Sequence, residues 1–344
     1  MKVAIGPVPW VSGTRVHILN IEKNSSHDLK LINYSPLSLY YPRYRGIGLL
    51  LRHNISITDP YGFFMARSIL PKFDVVHTHG HPHWIDIYRK PKYSKARYIH
   101  TVHQIYFKED SQNESRWITE NILNDRLFEY CKSCDVVISV SKWLQQELSK
   151  HEIDSIFIPN GVEFDKCDKA NQIRFRNKYN IHDDFFLFVG NSSKLKRADM
   201  FLELSKLMPD KLFILCGLGF DSTFNRKNVI SLGYLQHEDI LDAIAACKVL
   251  IVPSTKETTS LVLLEGLACK KPVVATNSSG MKEVMKNHRE YLFEEDDIGD
   301  LYDKALKAWD CVSPIDHFYA ELKANYDMVN IVKKIDSLYE EFVQ

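Results

Sequence analysis

Residues 251–274, IVPSTKETTSLVLLEGLACKKPVV, decide the fold, because an apolar strand, a helix start and two carboxylates follow one another there. Lys248 to Val252 reads as a buried strand, and Pro253-Ser254 closes it. Leu261, Leu264, Leu267 and Ala268 then recur at helical spacing, so a helix begins near Thr259 or Ser260. The first N–H groups of a helix have no intrahelical acceptor and carry the positive end of its dipole, which suits them to phosphate. Glu257 stands just before that start, and Glu265 is expected about two turns inside. Carboxylates do not bind phosphate, but they accept hydrogen bonds from sugar hydroxyls on either side of it. The stretch is laid out for an anionic, polyhydroxylated ligand.

Outward from this stretch, short apolar segments alternate with helical patterns along the whole chain. KVAIG, LKLINY, DVVHTH, RYIHTVH, DVVISV and SIFIPNG come first, then FFLFVG, KLFILCG, NVISLGY, VLIVPS, PVVATN and EYLF. Strands separated by helices of ten or more residues make parallel, doubly wound α/β sheets. Met200, Phe201, Leu204, Leu207 and Met208 mark one helix face, and Ile240, Leu241, Ile244 and Ala245 mark another. The polar stretch from Asp165 to Asp184 separates the two groups of strands and places a boundary near Glu163. From Phe318 onward, Val329, Val332, Ile335, Leu338 and Phe342 give one more helical pattern. Ligands of such sheets sit beyond the carboxyl ends of the strands.

A chain of 344 residues, 45% of them apolar, has room for about two ordinary domains. Lys plus Arg (44) balances Asp plus Glu (44), so no net field favours nucleic acid, and any phosphate binding must be local. The opening MKVAIGPVPW is too short and too interrupted by Pro7 and Pro9 for a signal peptide. No run approaches the roughly 18 apolar residues of a membrane span. Seven cysteines, an odd number, point to reduced thiols and a cytoplasmic location.

The 251–274 segment resembles the donor-site signature of retaining glycosyltransferases with the GT-B fold, in particular family 4 (glycosyl transferases group 1). Its hallmark is two glutamates with seven residues between them, and here 265 − 257 = 8. The resemblance implies two Rossmann-like domains facing across a cleft: an acceptor-side domain 1–163, a nucleotide-sugar donor domain 164–317, and a terminal helix, 318–344, crossing back. It implies that Glu265 holds the ribose hydroxyls, that Glu257 holds those of the transferred sugar, and that the amides of Ser260, Leu261 and Val262 meet phosphate. In FVGNSSKLKRADMF, Gly190 and Lys196 match the family's glycine and lysine, with Lys196 as the diphosphate cation. Asn191 departs from the family, since an arginine is usual there, and Lys194 or Arg197 are candidates to compensate. Thr259-Ser260 departs too, where an aromatic residue and a glycine are common; a serine suits the site only if no positive φ is needed.

Further resemblance lies in CGLG (Gly217, Gly219), SLGYLQHEDI, ISVS and IPNGVE, and implies that Tyr234 and Leu235 lie along the nucleotide base. DVVHTH resembles a segment whose second histidine, His79 here, is at the reaction centre, and His103 of HTVHQ resembles a cleft-facing, acceptor-side histidine. In PVPWVSGTR only Gly13 remains of the usual pair of glycines over the donor phosphate. The expected chemistry is hexose transfer from a nucleotide diphosphate sugar to a glycan or lipid-linked acceptor, with His79, Lys196 and Glu257 as catalytic residues. Nucleotide sugar is the co-substrate, and no cofactor or metal is expected.

His77, His79, His81 and His83 invite a metal reading, but THGHPHW lacks the aspartate and final histidine of the zinc-binding T-H-x-H-x-D-H pattern, and Pro82 interrupts the strand. The pair Cys131 and Cys134 reads as small buried residues rather than a redox motif. YYPRYRGIGLLLRH, from Tyr40, is a candidate for peripheral membrane contact against the simpler reading of a core helix. Two other functions fit less well. A non-catalytic nucleotide-sugar-binding protein or inactive partner subunit is motivated by Asn191 and Ser260. A glycoside hydrolase needs carboxyl groups facing each other across about 5 to 9 Å, whereas two carboxylates along one strand-loop-helix better suit the two ends of an extended ligand.

Overall fold

A computed structural model describes residues 1–9, 13–33, 65–80, 88–107, 114–311 and 319–341. YYPRYRGIGLLLRH, the histidines His81 and His83, and residues 10–12 of the first loop lie outside them. By internal packing the chain divides into a unit of Met1–Asn160 with Ile331–Gln344 and a unit of Gly161–Asn330.

The first unit holds β1 (Lys2–Val8), β2 (Asp28–Asn33), β3 (Val75–His79), β4 (Arg97–Val102), β5 (Val136–Ser139) and β6 (Ile156–Phe157). They pair in the order β2-β1-β3-β4-β5-β6. The second unit holds β7 (Phe185–Val189), β8 (Leu212–Cys216), β9 (Val229–Gly233), β10 (Val249–Val252), β11 (Val273–Thr276) and β12 (Leu292–Phe293). These pair in the order β12-β11-β10-β7-β8-β9. All pairings between named strands are parallel, and each of the twelve apolar segments forms one strand. The central strands are buried on both faces, the condition under which parallel strands read as continuous apolar runs. Phe185, Phe186, Phe188, Phe201 and Phe213 fill the centre of the second unit.

Two expectations about helix faces need correction, and the polar stretch 165–184 between the two groups of strands is itself folded. It forms helices Phe164–Asp168 and Gln172–Tyr179, with Phe164, Cys167, Phe175 and Ile181 in the core. Asp242, buried in the next layer, accepts from the Asn171 N–H at 2.7 Å and from the Arg174 guanidinium, which leaves that surface polar while tying it down. Leu207 is not on the core face. It is the last residue of helix Ala198–Leu207 and is half exposed, because Met208 leaves the helix and turns inward in its place. In the terminal helix Met328–Glu341 the buried stripe is Met328, Ile331, Val332, Ile335, Leu338 and Tyr339; Val329 lies beside it, exposed, and Phe342 is outside the described residues.

Two hydrogen-bonded contacts hold the end of that helix within the first unit. Asp336 accepts from the Ser25 hydroxyl at 2.6 Å and from the Ser26 N–H at 2.8 Å. Tyr339 places its hydroxyl 2.6 Å from Nδ1 of His77.

Candidate functional site

In the second sheet the winding reverses between β10 and β7, and an open parallel sheet binds ligands at such a switch point, beyond its carboxyl ends. The loops that follow β7, β8 and β10 meet there and are bonded to one another through their backbones. Gly190 N–H donates to Cys216 O at 3.0 Å, Ser192 N–H to Leu218 O at 3.0 Å, and Thr255 N–H to Leu195 O at 2.9 Å. Gly217 (φ +142°) is required for this closeness, because a Cβ on it would sit 1.5 Å from the Gly190 carbonyl oxygen. Gly280 does the same beneath the β10 loop: its N–H donates to Glu257 O at 2.9 Å, and a Cβ there would meet Thr258 O at 1.8 Å. The interlocked loops bring the Lys196 ammonium, in a short 3-10 turn after β7, into a hydrogen-bonded ion pair with the Glu257 carboxylate. Both side chains are partly exposed, at 29% and 17%, so the pair borders solvent rather than the core.

The helix expected near Thr259 or Ser260 runs from Leu261 to Ala268, with Ser260 as N-cap. Ser260 has φ −81°, so the absence of glycine there costs no backbone strain, and its hydroxyl accepts from the Leu263 N–H at 3.3 Å. The amides of Leu261 and Val262, in the first turn, have no intrahelical acceptor. Glu265 lies only a little over one turn inside, not two, because the helix starts one residue later than Ser260 and 265 − 261 = 4. It is buried at 6% exposure and accepts a 2.7 Å hydrogen bond from Nε2 of His237. That bond raises the His237 pKa above the usual imidazole value, against the lowering effect of burial. His237 is the first residue of the helix after Tyr234-Leu235, of which Tyr234 is half exposed and Leu235 buried.

Asn191 spends its side chain locally, its Oδ1 accepting from the Ser193 N–H at 3.0 Å. Arg197 is bonded to Asp199 and Asp296, as Lys196 is to Glu257, and Lys194 is exposed. His237 was not singled out from the sequence. The one signal was its place in LQHEDI, just after the segment assigned to the base.

In the first unit the winding reverses between β1 and β3. Gly13 opens the helix Gly13–Asn24 that follows β1, His79 ends β3, and His103 follows β4. Alternation along the strands puts His77, His79 and Thr101 on one face, and Thr78 and His100 on the other with Tyr130. His77 has both ring nitrogens bonded, to Tyr339 and to Thr101 at 2.7 Å, and is a structural histidine. Nδ1 of His79 lies 3.2 Å from Nε2 of His103. His17, from the helix, completes the group, its ring centroid 5.6 Å from that of His79 and 5.2 Å from that of His103. Burial lowers the His17 pKa to about 4 and holds His79 well below the usual value, with the neighbouring histidines adding to the latter shift. No sequence motif announced His17, since 79 − 17 = 62 residues separate it from its nearest partner in the chain.

The seven cysteines are free; Cys131 is buried and Cys134 packs against the same apolar clusters. Among the described residues no helix is long and apolar enough to cross a membrane.

Comparison with known proteins adds family to geometry. Residues 13–166 match the profile "Glycosyltransferase Family 4", and residues 170–312 match "Glycosyl transferases group 1". An uncharacterized glycosyltransferase of Methanocaldococcus jannaschii is 26% identical over 339 residues, which span 89% of this chain and 88% of that one. Among solved structures, sucrose-phosphate synthase from Thermosynechococcus elongatus aligns over 99% of this chain and 98% of its own with a TM-score of 0.76 at 15% identity. Anabaena HepE in complex with UDP aligns over 99% of both chains with a TM-score of 0.74 at 15% identity. With the two profiles lying end to end across both Rossmann-like units, the chain belongs to the group 1, family 4-like glycosyltransferases of GT-B fold.

Proposed function

We propose that this glycosyltransferase moves a hexose from a nucleotide diphosphate sugar to a hydroxyl of a glycan or lipid-linked acceptor, with retention of the anomeric configuration. The observation that carries the proposal is the meeting of Lys196, Glu257 and an open helix start at the switch point of the second sheet, with Glu265 one turn further on. A cation and first-turn amides suit a diphosphate, and carboxylates on either side suit the hydroxyls of ribose and sugar. The UDP held by HepE, which shares this fold, supports a nucleotide as the ligand.

Lys196 and the Leu261 and Val262 amides would neutralise the leaving diphosphate, whose negative charge grows as the glycosidic bond breaks. A diphosphate oxygen would take the acceptor proton on the face that the leaving group occupies, so that the new bond forms with retention. Glu257, now paired with Lys196, would orient the sugar hydroxyls, while His237 fixes the Glu265 carboxylate for the ribose. Tyr234 would lie along the base, Gly190 would leave room for the phosphates, and His79 would face the transferred sugar. Charge neutralisation of this kind needs no metal, so transfer should persist in EDTA. Proton-detected NMR of the product from a nucleotide-hexose panel tests the reading: release of nucleotide diphosphate together with a product of the donor's anomeric configuration supports it. Binding of the donor without release, in the presence of every acceptor offered, would favour a non-catalytic nucleotide-sugar-binding protein.

A further inference from the structure

We propose that His17, His79 and His103 form a binding site for a divalent transition-metal ion of the Zn²⁺ class, separate from the diphosphate site. One nitrogen from each ring lies within 4.8 Å of the other two. Zn²⁺–N bonds of about 2.0–2.1 Å place the nitrogens of a tetrahedral site roughly 3.4 Å apart, a contraction that small side-chain rotations supply. The second, independent observation concerns hydrogen bonding. Nδ1 of His17 and Nε2 of His79 are buried, in residues only 3% and 1% exposed, and have no hydrogen-bond partner among the described residues. Buried polar atoms are nearly always satisfied, and an orphan pair of imidazole nitrogens beside a third imidazole is what a metal ion would satisfy.

The surroundings define the set. His77, whose ring centroid is 4.1 Å from that of His79, is excluded because Tyr339 and Thr101 occupy both of its nitrogens. His100 belongs to the opposite face of β4 with Thr78 and Tyr130. Three neutral imidazoles leave a fourth position for water or a hydroxyl oxygen, the donor set of an open zinc site rather than a closed structural one. His103 is the half-buried member and gives the site its approach from solvent. The pattern of alternate histidines in the sequence does not describe this site, because one ligand comes from a helix and another from just beyond the end of the next strand.

If His79 faces the transferred sugar, as proposed above, an ion held by its ring would occupy that place and inhibit transfer. This consequence rests on the functional reading, whereas the binding itself does not. The test therefore omits donor and acceptor. EDTA-stripped, untagged protein is titrated with Co²⁺, followed by the visible absorption of four-coordinate Co²⁺, and then competed with Zn²⁺. One equivalent per chain is expected, displaced by Zn²⁺. His103→Gln and His17→Gln should each weaken binding at least about tenfold, the lower end of what changes merely adjacent to metal ligands cost, and His182→Gln, at an exposed histidine of the second unit, should change nothing. Wild-type protein that shows no more absorption than free Co²⁺ would overturn the proposal. So would equal binding by wild type and His103→Gln, the variant at the least buried position and so the one least exposed to misfolding. Binding without inhibition of transfer by Zn²⁺ would leave the metal site standing and move His79 away from the reacting sugar.

Discussion

The two switch points of this molecule are built from different materials. In the second unit, three loops are locked by backbone hydrogen bonds and by glycines that nothing larger can replace, and the side chains brought together there are ionisable pairs, Lys196 with Glu257 and Glu265 with His237. In the first, the corresponding place is occupied by imidazoles that burial keeps neutral. A charged site suits a ligand that carries permanent charge. A neutral, buried one suits hydroxyls or a metal ion.

The largest effect expected from this contrast is on turnover. Lys196→Ala should lower transfer by roughly 100- to 1,000-fold, the usual loss when one preorganised charge-stabilising group is removed. Release of nucleotide diphosphate under saturating donor measures it. A loss below tenfold would mean that Lys194 or the helix start carries the diphosphate without Lys196.

The next effect is on stability, and the two units should respond to acid in opposite senses. His17 has a folded-state pKa below its unfolded value of about 6.5, so the stability it contributes is fully present above that pH and is lost progressively as pH falls from there to about 4. For a fully buried ring this is on the order of 3 kcal/mol. His237 is shifted the other way. The stability it contributes is fully present below the unfolded imidazole pKa and is lost as pH rises through the raised folded value. Hydrogen exchange between pH 7 and pH 5 should show protection falling around His17, His79 and His103 while the Glu265 helix holds. Equal loss in both units would break the contrast. Within the second unit, Glu265→Gln should bring the His237 titration, followed by NMR, back toward the ordinary imidazole value; an unmoved titration would show that another group raises it.

The smallest expected effect concerns Asn191. Asn191→Arg places a forked cation next to the Gly190 turn, but it also gives up the bond to the Ser193 N–H, so a gain of at most about 1 kcal/mol in nucleotide diphosphate affinity is expected. Calorimetry that finds no gain would mean that position 191 serves the turn and not the phosphates.

How much of this was legible in the sequence follows the same division. All twelve strands could be read, because parallel strands covered on both faces are short apolar runs that Gly, Pro and polar turns punctuate. The candidate donor residues could be placed on the fold because Glu257, Ser260 and Glu265 lie within a few residues on one strand-loop-helix. The direct pairing of Lys196 with Glu257 could not, since it depends on how loops after non-adjacent strands in the chain become neighbours in the sheet. His17 shows the limit most clearly: on its own helix it is one polar residue among several, and only the approach of its ring to those of His79 and His103 gives it a role. Leu207 and Val329 failed for a simpler reason, since periodicity places a residue on a face but does not say how wide the covered stripe is or where it stops.

The donor assignment is tested most directly by titrating a nucleotide diphosphate, without sugar or acceptor, into wild type, Glu265→Ala and His79→Gln, with heat as the readout. Removing a charged hydrogen bond to the ribose costs roughly 1.5 to 3 kcal/mol, so a loss of about 10- to 150-fold is expected for Glu265→Ala and no change for His79→Gln. Undiminished binding by a folded Glu265→Ala chain, or a loss confined to His79→Gln, would contradict the placement of the nucleotide in the second unit.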